Sequence, residues 1–157
     1  MPGRADFASN SRGGGTDAAN GLPENVIAMN HKAKILLVED NVALSGVICF
    51  NMARAGYEVT PVSNGREAID ELQRSHYDLI LSDQQMPKMT GIQLCEHIRE
   101  IPDYVHTPFI LLTAKCMEID VAKLRQRLNL SMALPKPFSP SELLTSIEEC
   151  LASNCSP

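Results

Sequence analysis

Residues 35–41, "ILLVEDN", decide how this chain is read. Four apolar residues run straight into two adjacent carboxylates, Glu39 and Asp40, and an amide, Asn41. A continuous apolar run of this length suits a strand buried on both faces. Acid pairs are costly wherever water is excluded. Either the pair marks where the strand surfaces, or a positive charge belongs beside it.

Working outward, the pattern repeats. "NVALSGVICFNMARAG" (41–56) places apolar residues at helical spacing and ends at Gly56, a C-terminal stop. "YEVTPV" (57–62) is a β-branched strand in which Pro61 suits a sheet edge. "SNGREAIDELQRS" (63–75) opens on turn residues and continues as an amphipathic helix, and "YDLILSD" (77–83) is a second strongly apolar strand. After "QQMPKMTG" come the helix "IQLCEHIRE", the strand "TPFILLTA", the helix "MEIDVAKLRQRLNL", the short strand "MALP" and a last helix, "SPSELLTSIEECLA". Ser139 caps that helix, with Pro140 at its first position and Glu142 three residues on.

Strands alternating with helices predict an α/β protein with a parallel sheet covered on both faces. With right-handed crossovers, the expected fold is a doubly wound (βα)5 domain with a five-stranded sheet in the flavodoxin-like order 2-1-3-4-5. The crevice of that topology lies at the carboxyl ends of strands one and three.

The 157 residues suit one domain. A net charge of -5 argues against a nucleic-acid partner. No apolar run approaches the roughly 20 residues needed to span a bilayer. No basic-then-apolar leader opens the chain, so a cytoplasmic protein is expected. The cysteines, Cys49, Cys95, Cys116, Cys150 and Cys155, form no metal-binding spacing and are expected as reduced thiols. Residues 1–33 are rich in Gly, Ser, Asn and Ala and are expected as a disordered tail. The folded domain then spans 34–153, with 154–157 a short C-terminal tail.

Strand one ends in Glu39 and Asp40, strand three in Asp83, and strand four in Thr113 and Ala114; strand five leads into Lys136 and Pro137. Taken singly, Asp40 suits a helix cap, Asp83 a turn, Thr113 a β-branched strand end and Lys136 a solvated loop charge. Their joint arrival at one rim is what those readings leave unexplained. An acidic pocket for one hard divalent cation accounts for it, since Mg²⁺ prefers oxygen ligands and commonly takes one or two carboxylates plus a phosphate oxygen. With the cation bound, Asp83 can attack phosphorus and form an aspartyl-phosphate. Lys136 offsets the phosphoryl charge, and Thr113 is the right kind of donor for a phosphate oxygen.

In "LLVEDN", "DLILSDQQMP" with "TG" following, "ILLTA" and "KPF", the chain resembles the receiver domain of two-component response regulators over residues 34–152. The resemblance implies that Asp83 is the phosphoacceptor and a Mg²⁺ ligand, Asp40 a direct ligand, and Glu39 a ligand acting mostly through metal-bound water. It further implies that the Gln85 backbone carbonyl completes the metal site, Thr113 is the switch hydroxyl, and Lys136 bridges phosphate and carboxylate. Ala114 matches the small residue beside the phosphate, while Gln85 and Lys115 hold the positions that tune phosphoryl lifetime in the family.

The implied activity is that of a phosphorylated switch rather than an enzyme. A histidine kinase or histidine phosphotransfer protein would supply the phosphoryl group, and an unidentified protein target would receive the signal by contact. Two features depart from the family: "LNLSMALPKPF" replaces the usual "GADDYL" approach to the lysine, and Ala133 stands where an aromatic is usual. They favour the alternative of a receiver-like binding module that signals without phosphorylation. A Mg²⁺-dependent phosphohydrolase would want a second acid beside Asp83, and Gln84 and Gln85 supply none.

Overall fold

The structure, a computed structural model, describes residues 33–155. The tail expected over residues 1–33 lies outside the described residues apart from Ala33. The three most apolar runs become the centre of the sheet: β1 (Lys34–Val38), β3 (Leu79–Asp83) and β4 (Phe109–Thr113). Every residue of β3 and β4 is buried, as a strand with helices on both faces requires. The edges are β2 (Glu58–Val62), with Pro61 within it, and β5 (Met132–Pro135). All pairings are parallel, and the order is β2-β1-β3-β4-β5, the expected doubly wound arrangement.

The helices are α1 (Val42–Arg54), α2 (Gly65–Arg74), α3 (Gly91–Ile98), α4 (Val121–Leu128) and α5 (Pro140–Cys155). Side chains alternate faces along a strand, so β1 feeds two cores. Leu36 and Val38 pack with Ile80 and Leu111 against Ala68 and Leu72 of α2, Leu94 and Ile98 of α3, and Leu124 and Leu128 of α4. Ile35 and Leu37 pack with Leu79, Leu81, Ile110 and Leu112 against Ile48 and Met52 of α1 and Leu143 and Ile147 of α5. Each Leu, Ile, Val or Met side chain among them contributes about 1.5–3 kcal/mol by leaving water.

Local signals set the helix ends. Asn41 caps α1, its side chain accepting from Leu44 N at 3.0 Å. The cap is therefore Asn41 and not Asp40. Beyond α1, Gly56 takes φ 99°, a left-handed conformation that a side chain would strain. Ser139 and Glu142 form the expected reciprocal cap of α5 (3.1 and 3.2 Å). α5 runs to Cys155, two residues past the expected boundary at 153.

The helix expected over 117–130 is divided. Cys116–Glu118 form a 3-10 turn, and α4 begins only at Val121, because the Asp120 carboxylate accepts from Lys123 N (3.1 Å) and makes residue 120 a cap. Among the described cysteines, Cys49, Cys95, Cys116 and Cys150 are free thiols.

Candidate functional site

Parallel pairing brings the carboxyl ends of all strands to one rim. Asp83 ends β3 opposite Leu112, and Thr113 ends β4 opposite Pro135. Two backbone bonds extend the ladders past the strands: Gln84 N donates to Leu112 O (2.8 Å) and Lys136 N to Thr113 O (3.0 Å). Glu39 follows β1, its N–H donating to Val62 O at 3.0 Å.

At that rim Glu39 and Asp83 are nearly buried (3% and 4% exposed), whereas Asp40 is exposed. One carboxylate oxygen from each of the three lies within 4.8 Å of the others. Lys136 Nζ stands 2.9 Å from Asp83 Oδ1 and 3.5 Å from Glu39 Oε1. Burial pushes the Glu39 carboxyl pKa up, the Asn41 N–H that Oε2 accepts at 3.1 Å opposes it, and the Asp83 charge raises it further. Burial works against the Lys136 ammonium, but its hydrogen bond to Asp83 and the Asp83 and Glu39 charges prevail, and its pKa rises.

Glu39 Oε1 is the one buried side-chain oxygen or nitrogen among the described residues without a hydrogen-bond partner. Its nearest charged partner is the Lys136 ammonium at 3.5 Å, which leaves lone pairs of a buried carboxylate in a three-acid cluster open to a hard divalent cation and its waters.

The expected residues are not all tied together equally. Distances join Glu39, Asp40, Asp83 and Lys136, and strand register adds Thr113. Thr113 is fully buried and its Oγ1 accepts from Lys115 N (3.0 Å), which leaves its own O–H as a donor. Gln85 is exposed on the loop two residues past Asp83, and its place along that loop is what relates it to the cluster. Ala114 and Lys115 are exposed beside Thr113. Ala133 pairs with Leu111 in the sheet and packs, half-buried, against the core that contains Leu111.

One residue was not singled out for a role by the sequence. Gln84 accepts from Ile92 N with its side-chain oxygen (2.8 Å) and from Gly91 N with its backbone oxygen (3.1 Å). Those partners lie across a loop, so no local pattern marks them.

The response regulator receiver domain profile matches residues 35–148. The chain belongs to that family. Members act as phosphorylation-regulated switches rather than turnover catalysts.

The receiver is 35% identical over 125 residues to the transcriptional regulatory protein CpxR homolog of Haemophilus influenzae, covering 80% of this chain and 53% of that protein. It is 34% identical over 118 residues to the alkaline phosphatase synthesis transcriptional regulatory protein PhoP of Bacillus subtilis, covering 75% and 48%. The chain thus spans about half the length of the curated relatives it matches.

Among solved structures, the chemotaxis response regulator CheY4 of Vibrio cholerae superposes with a TM-score of 0.70 at 31% identity, over 76% of this chain and 99% of that one. The receiver domain of a sensor histidine kinase from Pseudomonas aeruginosa gives 0.69 at 31%, over 78% and 99%. In that structure a magnesium ion is coordinated in the active-site cleft. The acidic cluster of Glu39, Asp40 and Asp83 is compatible with a divalent-metal site of that kind.

Proposed function

We propose that this receiver is a phosphorelay switch in which Asp83 accepts a phosphoryl group from the phosphohistidine of a histidine kinase or histidine phosphotransfer protein. The observation that carries this reading is the Lys136 ammonium 2.9 Å from Asp83 Oδ1, at the mouth of a three-carboxylate cluster.

An Asp83 oxygen attacks phosphorus, the P–N bond to the donor imidazole breaks, and the imidazole leaves with the bond's electron pair. Bound Mg²⁺ would supply charge neutralisation between carboxylates and phosphoryl oxygens. Asp40, Asp83 and the Gln85 carbonyl would hold it directly, and Glu39 mainly through water. Lys136 moves from the carboxylate to bridge carboxylate and phosphoryl group, and the Thr113 hydroxyl donates to a phosphoryl oxygen. The pull on Thr113 shifts the loop that follows it, biasing a surface that an unidentified protein target contacts. Ala133 lacks the usual aromatic, so the response passes through that loop. No helix among the described residues is long and apolar enough to cross a membrane, and a cytoplasmic setting is part of the proposal.

The test is incubation with Mg²⁺ and acetyl phosphate, followed by intact mass. A single phosphoryl addition that vanishes in Asp83→Asn supports the reading. No addition under conditions that saturate a control receiver returns the alternative, a receiver-like module binding its partners independently of phosphate.

A further inference from the structure

Beyond the N-cap, the first three backbone N–H groups of a helix have no partner inside it. In α3 all three are accounted for. Gly91 N donates to the backbone oxygen of Gln84 (3.1 Å), Ile92 N to the side-chain oxygen of Gln84 (2.8 Å), and Gln93 N to Thr90 Oγ1 (3.1 Å). Two of the three acceptors thus belong to one residue, and that residue directly follows Asp83. Gln84 N also donates to Leu112 O, so β4 holds it from the other side.

The approach is close enough to exclude a side chain at residue 91. A Cβ on Gly91 would stand 2.6 Å from Asp83 O and 3.1 Å from Gln84 Cα. Gln85 therefore lies between two anchors: Gln84, tied to β4 and α3, and Met86, whose side chain is buried in the core.

We propose that Gln84 is a positioning residue of the metal site: its side-chain oxygen ties the start of α3 to the residue after Asp83 and so holds the Gln85 carbonyl in place for a divalent cation. The inference rests on the metal-site reading above. A carbonyl ligand on a free loop would have to be ordered at each binding event, and the Gln84 tie does that ordering in advance. Outer partners of metal ligands commonly change affinity about 10–100-fold when removed. A tie acting through one carbonyl belongs at the low end.

The experiment is calorimetric titration of the full chain with Mg²⁺, comparing wild type, Gln84→Met and Thr90→Ala. Gln84→Met keeps the length of the side chain and removes its strong acceptor. Thr90→Ala removes a cap from the same turn of the same helix without touching residue 84, so it reports what loss of capping does by itself. The expected result is binding about tenfold weaker in Gln84→Met and within about twofold of wild type in Thr90→Ala. Faster amide exchange at Ile92 should accompany the former. If Gln84→Met does not fold, Gln84→Asn, one methylene too short to reach Ile92, takes its place with the same expectation.

Unchanged affinity in the residue-84 variant, or equal weakening in Thr90→Ala, overturns the inference and leaves the metal site standing. Absence of Mg²⁺ binding in wild type strikes the site reading itself.

Discussion

Lys136 does at residue scale what a cation would otherwise do. It places one positive charge against two nearly buried carboxylates, Asp83 and Glu39. Removing one partner of such a group leaves buried charge uncompensated, at a cost of several kcal/mol in a closed site. The Lys136 side chain is 24% exposed, so water screens part of that cost. In Lys136→Met we expect a loss of roughly 1–3 kcal/mol without divalent cation. Mg²⁺ should then stabilise the variant more than wild type, because it no longer competes with the ammonium for the same carboxylates. Urea unfolding with and without Mg²⁺ measures both quantities. A deficit of the same size in both buffers would show that Lys136 and the cation do not compete for the cluster. Thr113 belongs to this scale as well: a fully buried hydroxyl that accepts from Lys115 N still has a proton to give.

Among elements, α4 is one whose end rests on a neighbour's side chain. It has eight residues, of which Leu124 and Leu128 are the buried ones. Its C-terminal end is held by a side chain from just past α3. Arg99 donates through Nε to Leu128 O (2.7 Å) and through Nη2 to Asn129 O (3.0 Å), while Nη1 reaches Tyr104 O (2.6 Å). A guanidinium on the last carbonyls of a helix satisfies orphan acceptors and opposes the helix dipole. Arg99→Met should cost about 2–3 kcal/mol. Hydrogen exchange should quicken at the C-terminal end of α4 and leave α1 and α2 unchanged. Uniform acceleration across all helices would show that Arg99 supports the whole fold and not this one end. The division of the stretch before α4 has the same local character, since a carboxylate at 120 competes with helix continuation by capping Lys123.

Over the whole of the described domain, residues 33–155, one sheet separates two cores. Leu36 faces α2, α3 and α4, while Leu37 faces α1 and α5. Because both cores share β1, β3 and β4, neither survives loss of the other, and unfolding should be a single transition. Leu36→Ala and Leu37→Ala should each cost about 2–5 kcal/mol and move the same transition to lower denaturant. Two separated steps in either variant would mean that the faces unfold independently. The sheet order was legible in the sequence because three apolar runs, punctuated by helical spacing and Gly or Pro, left few topologies. The acids at the strand ends were legible for the same reason: parallel strands all deliver their carboxyl ends to one rim. The Asn41 cap of α1, the Arg99 clasp and the double role of Gln84 were not, since each depends on which of several short polar groups reaches a given backbone atom. Periodicity along the chain thus placed the strands and the acids at their ends, and the crossover rules narrowed the strand order to the one expected. Only tertiary structure decided how closely Lys136 approaches Asp83 and Glu39 and how Gln84 ties to α3, because contacts between residues distant in sequence leave no period to read.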